Sequence, residues 1–166
     1  MAKLFQRILV PYDFSEHSRH ALEVACDLAA DNGGEVSALC ALEPVSSLAG
    51  IRPPGGPIWY PPEDLVDSER ERLEKEVAEV RGRRRFATRA NVVVGAPLEV
   101  ILAAAARADV IVMATTGRGA LSHLLVGSVA EKVVRHAPVP VLTIGREAAR
   151  RAGGGREAQR SRSARE

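Results

Sequence analysis

The sequence predicts one open, doubly wound α/β domain on a five-stranded parallel sheet. Three observations carry this prediction. Five short apolar runs, rich in β-branched residues, recur along the chain, and four segments of helical period separate them. The order is thus β-α-β-α-β-α-β-α-β, and right-handed crossovers on a parallel sheet turn that order into a doubly wound fold. The chain has 166 residues, 46% of them apolar but only 4% aromatic, so a single core must be built from Val, Leu, Ile and Ala.

Residues 7–11, Arg-Ile-Leu-Val-Pro, form the first strand. Tyr12-Asp13-Phe14-Ser15 turns the chain, and Ser15 is the N-cap of a helix over residues 16–32. Its apolar face is Ala21, Leu22, Ala25, Cys26, Leu28 and Ala29, and Asn32-Gly33-Gly34 stops it. Residues 35–42 are the second strand. Residues 43–62 hold six of the ten prolines together with Trp59 and Tyr60, which excludes regular structure and marks a functional or mobile loop. A second helix runs from residue 62 to about 82, with Leu65, Leu73, Val77 and Val80 as an apolar stripe and Glu69, Glu71, Glu74, Glu76 and Glu79 as a solvated face. The four arginines of residues 81–85 suit a helix C-terminus better than a nucleic-acid contact. Residues 88–94 are the third strand, 98–108 the third helix and 110–114 the fourth strand. A helix from Gly127-Ser128 to His136 and a fifth strand over residues 139–144 complete the domain. Pro140 lacks an N–H, so that strand belongs at a sheet edge.

The domain, residues 1–145, is followed by a tail, 146–166, with seven Arg, three Glu and Gly153-Gly154-Gly155. The tail carries +4 and reads as disordered; the whole chain carries +2, which leaves −2 on the domain. That balance does not suggest nucleic-acid binding. Cys26 and Cys40 lie in apolar surroundings and read as buried thiols of a reducing compartment, the cytoplasm. No leader is visible before the first strand, and no apolar stretch reaches the length of a membrane span.

The chemistry concentrates in residues 109–138. A buried parallel strand ends in Ala114, a glycine-studded loop follows at Thr115-Thr116-Gly117-Arg118-Gly119, and Gly127-Ser128 starts a helix. Open α/β sheets bind ligands beyond the carboxyl ends of their strands. Backbone N–H groups at a helix start attract anions, and glycines let a backbone approach phosphates. The spacing is also that of a plain helix cap after a plain crossover, and spacing by itself leaves both readings open.

The chain from Arg7 to Ile144 resembles the universal stress proteins of the UspA type. The resemblance rests on Val10-Pro11-Tyr12-Asp13-Phe14-Ser15, on Gly95-Ala96-Pro97, on Gly117 followed after nine residues by Gly127-Ser128-Val129, and on Pro138-Val139-Pro140-Val141-Leu142. Nucleotide-binding members carry Gly, two residues, Gly, nine residues, Gly, then Ser or Thr; here Ala114 stands at the first glycine. The resemblance implies a Rossmann-like sheet of order 3-2-1-4-5 with an adenine nucleotide, ATP, at its switch point. It implies that Pro11, Asp13 and Ala41 meet the ribose and adenine. Ala114, Thr115, Thr116, Gly117, Arg118, Gly119, Gly127, Ser128 and Val129 would hold ribose and phosphates, which carry Mg2+ or Mn2+. It also implies a homodimer through the fifth strand, from Val139 to Ile144, and a further protein partner that reads the nucleotide state.

No catalytic constellation is visible. His17 and His20 share a helix face without a third ligand, and His123 and His136 read as surface residues. The expectation is a nucleotide-dependent regulator of the stress response, not a dedicated enzyme. The alternative is a nucleotide-free dimeric interaction module, with Ala114 and Tyr12 as the residues on its side.

Overall fold

The computed structural model describes residues 5–44, 60–115 and 127–145. The elements are β1 (Arg7–Pro11), α1 (Glu16–Asn32), β2 (Glu35–Leu42), α2 (Glu63–Arg81), β3 (Ala87–Val94), α3 (Pro97–Ala105), β4 (Val110–Ala114), α4 (Ser128–His136) and β5 (Val141–Ile144). The strands form one parallel sheet in the order β3-β2-β1-β4-β5. This is the doubly wound α/β fold expected. Residues 45–59 of the proline-rich segment 43–62, Thr116 to Gly119, His123 and the tail lie outside the described residues.

Alternation along the strands divides the core in two. Ile8, Val10, Val36, Ala38, Cys40, Val92, Val110 and Val112 point to α1 and α2, where Leu22, Cys26, Leu73 and Val77 meet them. Leu9, Leu39, Ile111 and Met113 point to the other face, against Ile101 and Ala105 of α3 and Ala130 and Val133 of α4. Both faces of the central strands are therefore buried, which explains their unbroken apolar runs. Cys26 and Cys40 are buried and form no disulfide.

Local signals place the ends of α1. Ser15 Oγ accepts the Ser18 N–H at 3.1 Å, and Gly33 closes the helix in the left-handed conformation at φ 66°, open to glycine at no steric cost. Arg84 caps α2 by donating to the Val80 carbonyl at 2.7 Å and reaches Asp27 at 2.6 Å, so one of the four clustered arginines serves the helix end.

Four expectations need correction. Leu65 is 37% exposed, and the neighbouring Val66 makes the partial contact with the core instead. Glu76 is not on the solvated face; it lies inward and binds Tyr12 and Arg19. The third helix stops at Ala105, because Arg107 and Ala108 donate to the Ala104 and Ala105 carbonyls in a tightened last turn before β4. The fifth strand starts at Val141, two residues late: Pro140 offers its carbonyl to the Ile111 N–H at 3.0 Å but has no N–H to return.

Candidate functional site

Strand order reverses between β1, the middle strand, and β4. β1 is registered with β2 from Arg7–Glu35 to Pro11–Leu39, but with β4 only at Ile8–Val110 and Leu9–Ile111. The ladder ends there because Pro11 has no N–H to give to β4. Pro11 lies two residues beyond Leu9 and Ala41 two beyond Leu39, so both belong to the α3/α4 face. Both are half-buried. Val129, in the first turn of α4, packs on the same face.

On the β4 side, Thr115 is fixed to β5. Its N–H and hydroxyl both donate to the Ile144 carbonyl, at 3.1 and 3.4 Å. Its own carbonyl accepts the Gly127 N–H at 2.6 Å, which ties the start of α4 to the end of β4. A Cβ at Gly127 would lie 3.3 Å from that same oxygen. This revises the expectation for Gly127: its N–H is committed to Thr115, and its missing side chain makes room for a backbone carbonyl. The donors left at the helix start are the N–H groups of Ser128, Val129 and Ala130, which no α-helix can satisfy internally. They carry the positive end of the α4 dipole. Ser128 is exposed and Val129 half-buried.

On the β1 side, the turn from Tyr12 to Ser15 is tightly bonded. Asp13 Oδ1 accepts from the Ser15 N–H at 3.1 Å and from its hydroxyl at 2.6 Å, an Asx-turn that leads into the α1 cap. Phe14 follows with φ 61°, a left-handed conformation that costs a bulky residue on the order of 1–3 kcal/mol. Packing offsets that cost. The Tyr12 ring stands edge-on to Phe14 at 5.3 Å, and the Arg72 guanidinium lies 3.9 Å over the Phe14 ring. Tyr12 is 4% exposed, within the α1/α2 core, and its hydroxyl donates to Glu76 Oε2 at 2.8 Å. Arg19 donates to the same oxygen at 2.5 Å. Burial, and then the Glu76 carboxylate, hold the Tyr12 hydroxyl well above the usual phenol range.

The grouping of Tyr12, Phe14, Arg72 and Glu76 beside Asp13 is what sequence reading missed. One signal was present: the spacing 73-76-77-80 sets Glu76 on the same helix face as Leu73, Val77 and Val80. Of the expected site residues, Pro11, Asp13, Ala41, Ala114, Thr115, Gly127, Ser128 and Val129 all stand at the carboxyl edge of the sheet or on the α4 start. Among the described residues, no three His, Cys, Asp or Glu side chains are grouped to hold a metal, and no helix is long and apolar enough to cross a membrane.

Sheet order, with its reversal between β1 and β4, and the helix start beside that reversal define the class: a doubly wound α/β protein with its switch point at β1 and β4. The chain belongs to the universal stress protein family, whose model matches residues 4–145. A universal stress protein of Thermus aquaticus, from the QAH/OAS sulfhydrylase 3' region, is 37% identical over 144 residues, covering 85% of this chain and 99% of that protein. Universal stress protein MJ0531 of Methanocaldococcus jannaschii is 32% identical over 143 residues, covering 85% and 82%. Among solved structures, a family member from Burkholderia pseudomallei is 31% identical with a TM-score of 0.60, covering 87% of this chain and 99% of that one. The Archaeoglobus fulgidus universal stress protein in complex with dAMP is 23% identical with a TM-score of 0.61, covering 85% and 98%.

Proposed function

We propose that this chain binds an adenine nucleotide, ATP, at the switch point between β1 and β4, and that it serves as a nucleotide-dependent regulator in the cytoplasm rather than as a dedicated enzyme. The observation that carries the reading is the reversal of strand order between β1 and β4 beside the N-terminus of α4. Three helix-start N–H groups there are without intrahelical partners, and a polyphosphate satisfies such donors while it meets the positive end of the dipole. Pro11 and Ala41 supply an apolar surface on the same sheet face for the base. Asp13 takes the ribose side, with Oδ1 already anchored by Ser15. Thr116, Gly117, Arg118 and Gly119 complete the phosphate side in this reading. Mg2+ or Mn2+ is carried by the phosphates themselves. The Archaeoglobus fulgidus protein holds dAMP, but at 23% identity the likeness is one of fold, so the reading stands on the switch-point residues of this chain.

The test is calorimetric titration of ATP, with AMP and cyclic AMP as competitors, beside a mass spectrum of the freshly purified protein after denaturation. ATP that binds at micromolar strength and weakens in Asp13→Ala is expected. Absence of heat and of any co-purified nucleotide overturns the reading in favour of the nucleotide-free module.

The same proposal includes a homodimer through the β5 edge and a protein partner that reads occupancy. Pro140 and Ile144 turn their carbonyls to β4, so by alternation Val141 and Thr143 direct their N–H and C=O groups outward. Leu142 is 41% exposed on that strand. Thr143→Pro removes an outward N–H without touching the β4 ladder, and light scattering should show a monomer; an unchanged dimer mass rules out pairing through this edge.

A further inference from the structure

We infer that α2 is coupled to the nucleotide site, with Glu76 and Arg72 as positioning residues that set Asp13 through its two aromatic neighbours. This rests on the nucleotide reading above and adds the regulation of that site. Asp13 sits between Tyr12 and Phe14, and neither neighbour is held by α1 alone. The Tyr12 hydroxyl ends on Glu76 and the Phe14 ring lies under Arg72, two side chains one helical turn apart on α2. Arg19 closes the cluster from α1, bonding Glu76 at 2.5 Å and approaching Glu79 at 3.6 Å. The backbone between the rings is the strained one, with Phe14 at φ 61°. A strained turn keeps one conformation only while its surroundings over-determine it. Here part of those surroundings is contributed by α2, through Arg72 and Glu76.

The consequence is linkage. If the Tyr12–Glu76 and Phe14–Arg72 contacts hold the turn in the form that presents Asp13 to a ribose, nucleotide binding must in turn favour the docked state of α2, by the same factor. The opposite face of α2, with Glu71 and Glu74 exposed, is then a surface whose order reports occupancy.

The test combines ATP titration with hydrogen exchange on the full chain. In the wild type, ATP should slow amide exchange within α2 several-fold. Tyr12→Phe removes one hydroxyl and Arg72→Met removes the cation over Phe14; each should weaken ATP about three- to ten-fold and abolish the α2 response. Glu76→Ala should do the same, while Glu76→Gln, which still accepts from Tyr12, should restore most of the affinity. Asp67→Asn, at an exposed position of the same helix, should change nothing. Wild-type ATP affinity in Tyr12→Phe, Arg72→Met and Glu76→Ala, with no α2 response in the wild type, overturns the coupling and leaves nucleotide binding standing. A wild type that binds no ATP overturns both.

Discussion

Gly127→Ala separates two roles that one glycine fills. The added methyl would sit 3.3 Å from the Thr115 carbonyl oxygen, tighter than an ordinary contact, so the two must move apart by a few tenths of an ångström. The backbone at Gly127 has φ −69° and ψ 152°, which alanine adopts freely, so no torsional strain is added. The 2.6 Å hydrogen bond from the Gly127 N–H to Thr115 stretches, and alanine is a poorer N-cap than glycine. Together these cost about 1 kcal/mol, which lowers Tm by about 2–4 °C for a chain of this size. The effect on ATP should be larger. Shifting the helix start misaligns the Ser128 and Val129 N–H groups, and loss of one hydrogen bond to a charged phosphate is worth about 1.5 kcal/mol, or roughly ten-fold in Kd. Gly145→Ala is the control, since nothing lies within 4 Å of its Cβ position. Calorimetry reads the affinity and differential scanning fluorimetry the stability. If Gly127→Ala melts lower than Gly145→Ala yet binds ATP equally well, the glycine serves packing alone and the phosphate does not rest on this helix start.

Leu73→Ala and Leu65→Ala test the corrected face of α2 by thermal melting. Leu73 is fully buried and its loss should cost about 3 kcal/mol, whereas Leu65 is 37% exposed and should cost under about 1 kcal/mol; equal losses would put the apolar stripe back where the sequence drew it. Burial pushes the Cys26 thiol up to about 11, so it should resist a thiol reagent in the native protein at neutral pH and react only after unfolding. The unfolded thiol ionises first as pH rises, so this group's contribution to stability is lost between about 9 and about 11. Asp109 is held below the usual carboxylate range by hydrogen bonds from Arg7, so the stability it contributes is present above that range and lost as pH falls through its depressed value. Denaturant melts of Asp109→Asn should differ from the wild type at neutral pH and converge with it in strong acid; a difference that persists in acid means the side chain acts through packing.

Much of the fold was legible because its signals are local. Ser15 and Gly33 act on the turn next to them, and an apolar run between breakers describes a buried strand whatever its neighbours are. The misplaced features depend on distant partners. Glu76 reads as one more acidic residue on an acidic helix until Tyr12, 64 residues away in the chain, puts a hydroxyl on it. Phe14 gives no sign of a positive φ, because nothing beside it is glycine and its support comes from Arg72. Gly127 was legible as a position without a side chain, but not that a carbonyl of the chain itself fills the space. The late start of β5 was half legible: Pro140 marked an edge strand, but the same missing N–H also delays the ladder.

Alternation also bears on the two residues that depart from the nucleotide-binding pattern. Along β4, Val110 and Val112 face α1 and α2 while Ile111 and Met113 face α3 and α4. Ala114 falls in the first set and packs against that core, so its methyl points away from the face on which α4 begins. Tyr12 continues the series of Ile8 and Val10 and is turned the same way, with its hydroxyl on Glu76. Pro11 and Ala41 fall in the opposite series, on the face that carries Val129. A ligand approaching over Pro11, Ala41 and the start of α4 thus meets the backbone of residue 114 rather than its side chain, and the extra methyl need not cost affinity. The expected outcome for Ala114→Gly is therefore ATP affinity within about two-fold of wild type, with stability lowered by about 1 kcal/mol for glycine inside a strand. A large gain in affinity would show instead that the methyl stands in the ligand's path.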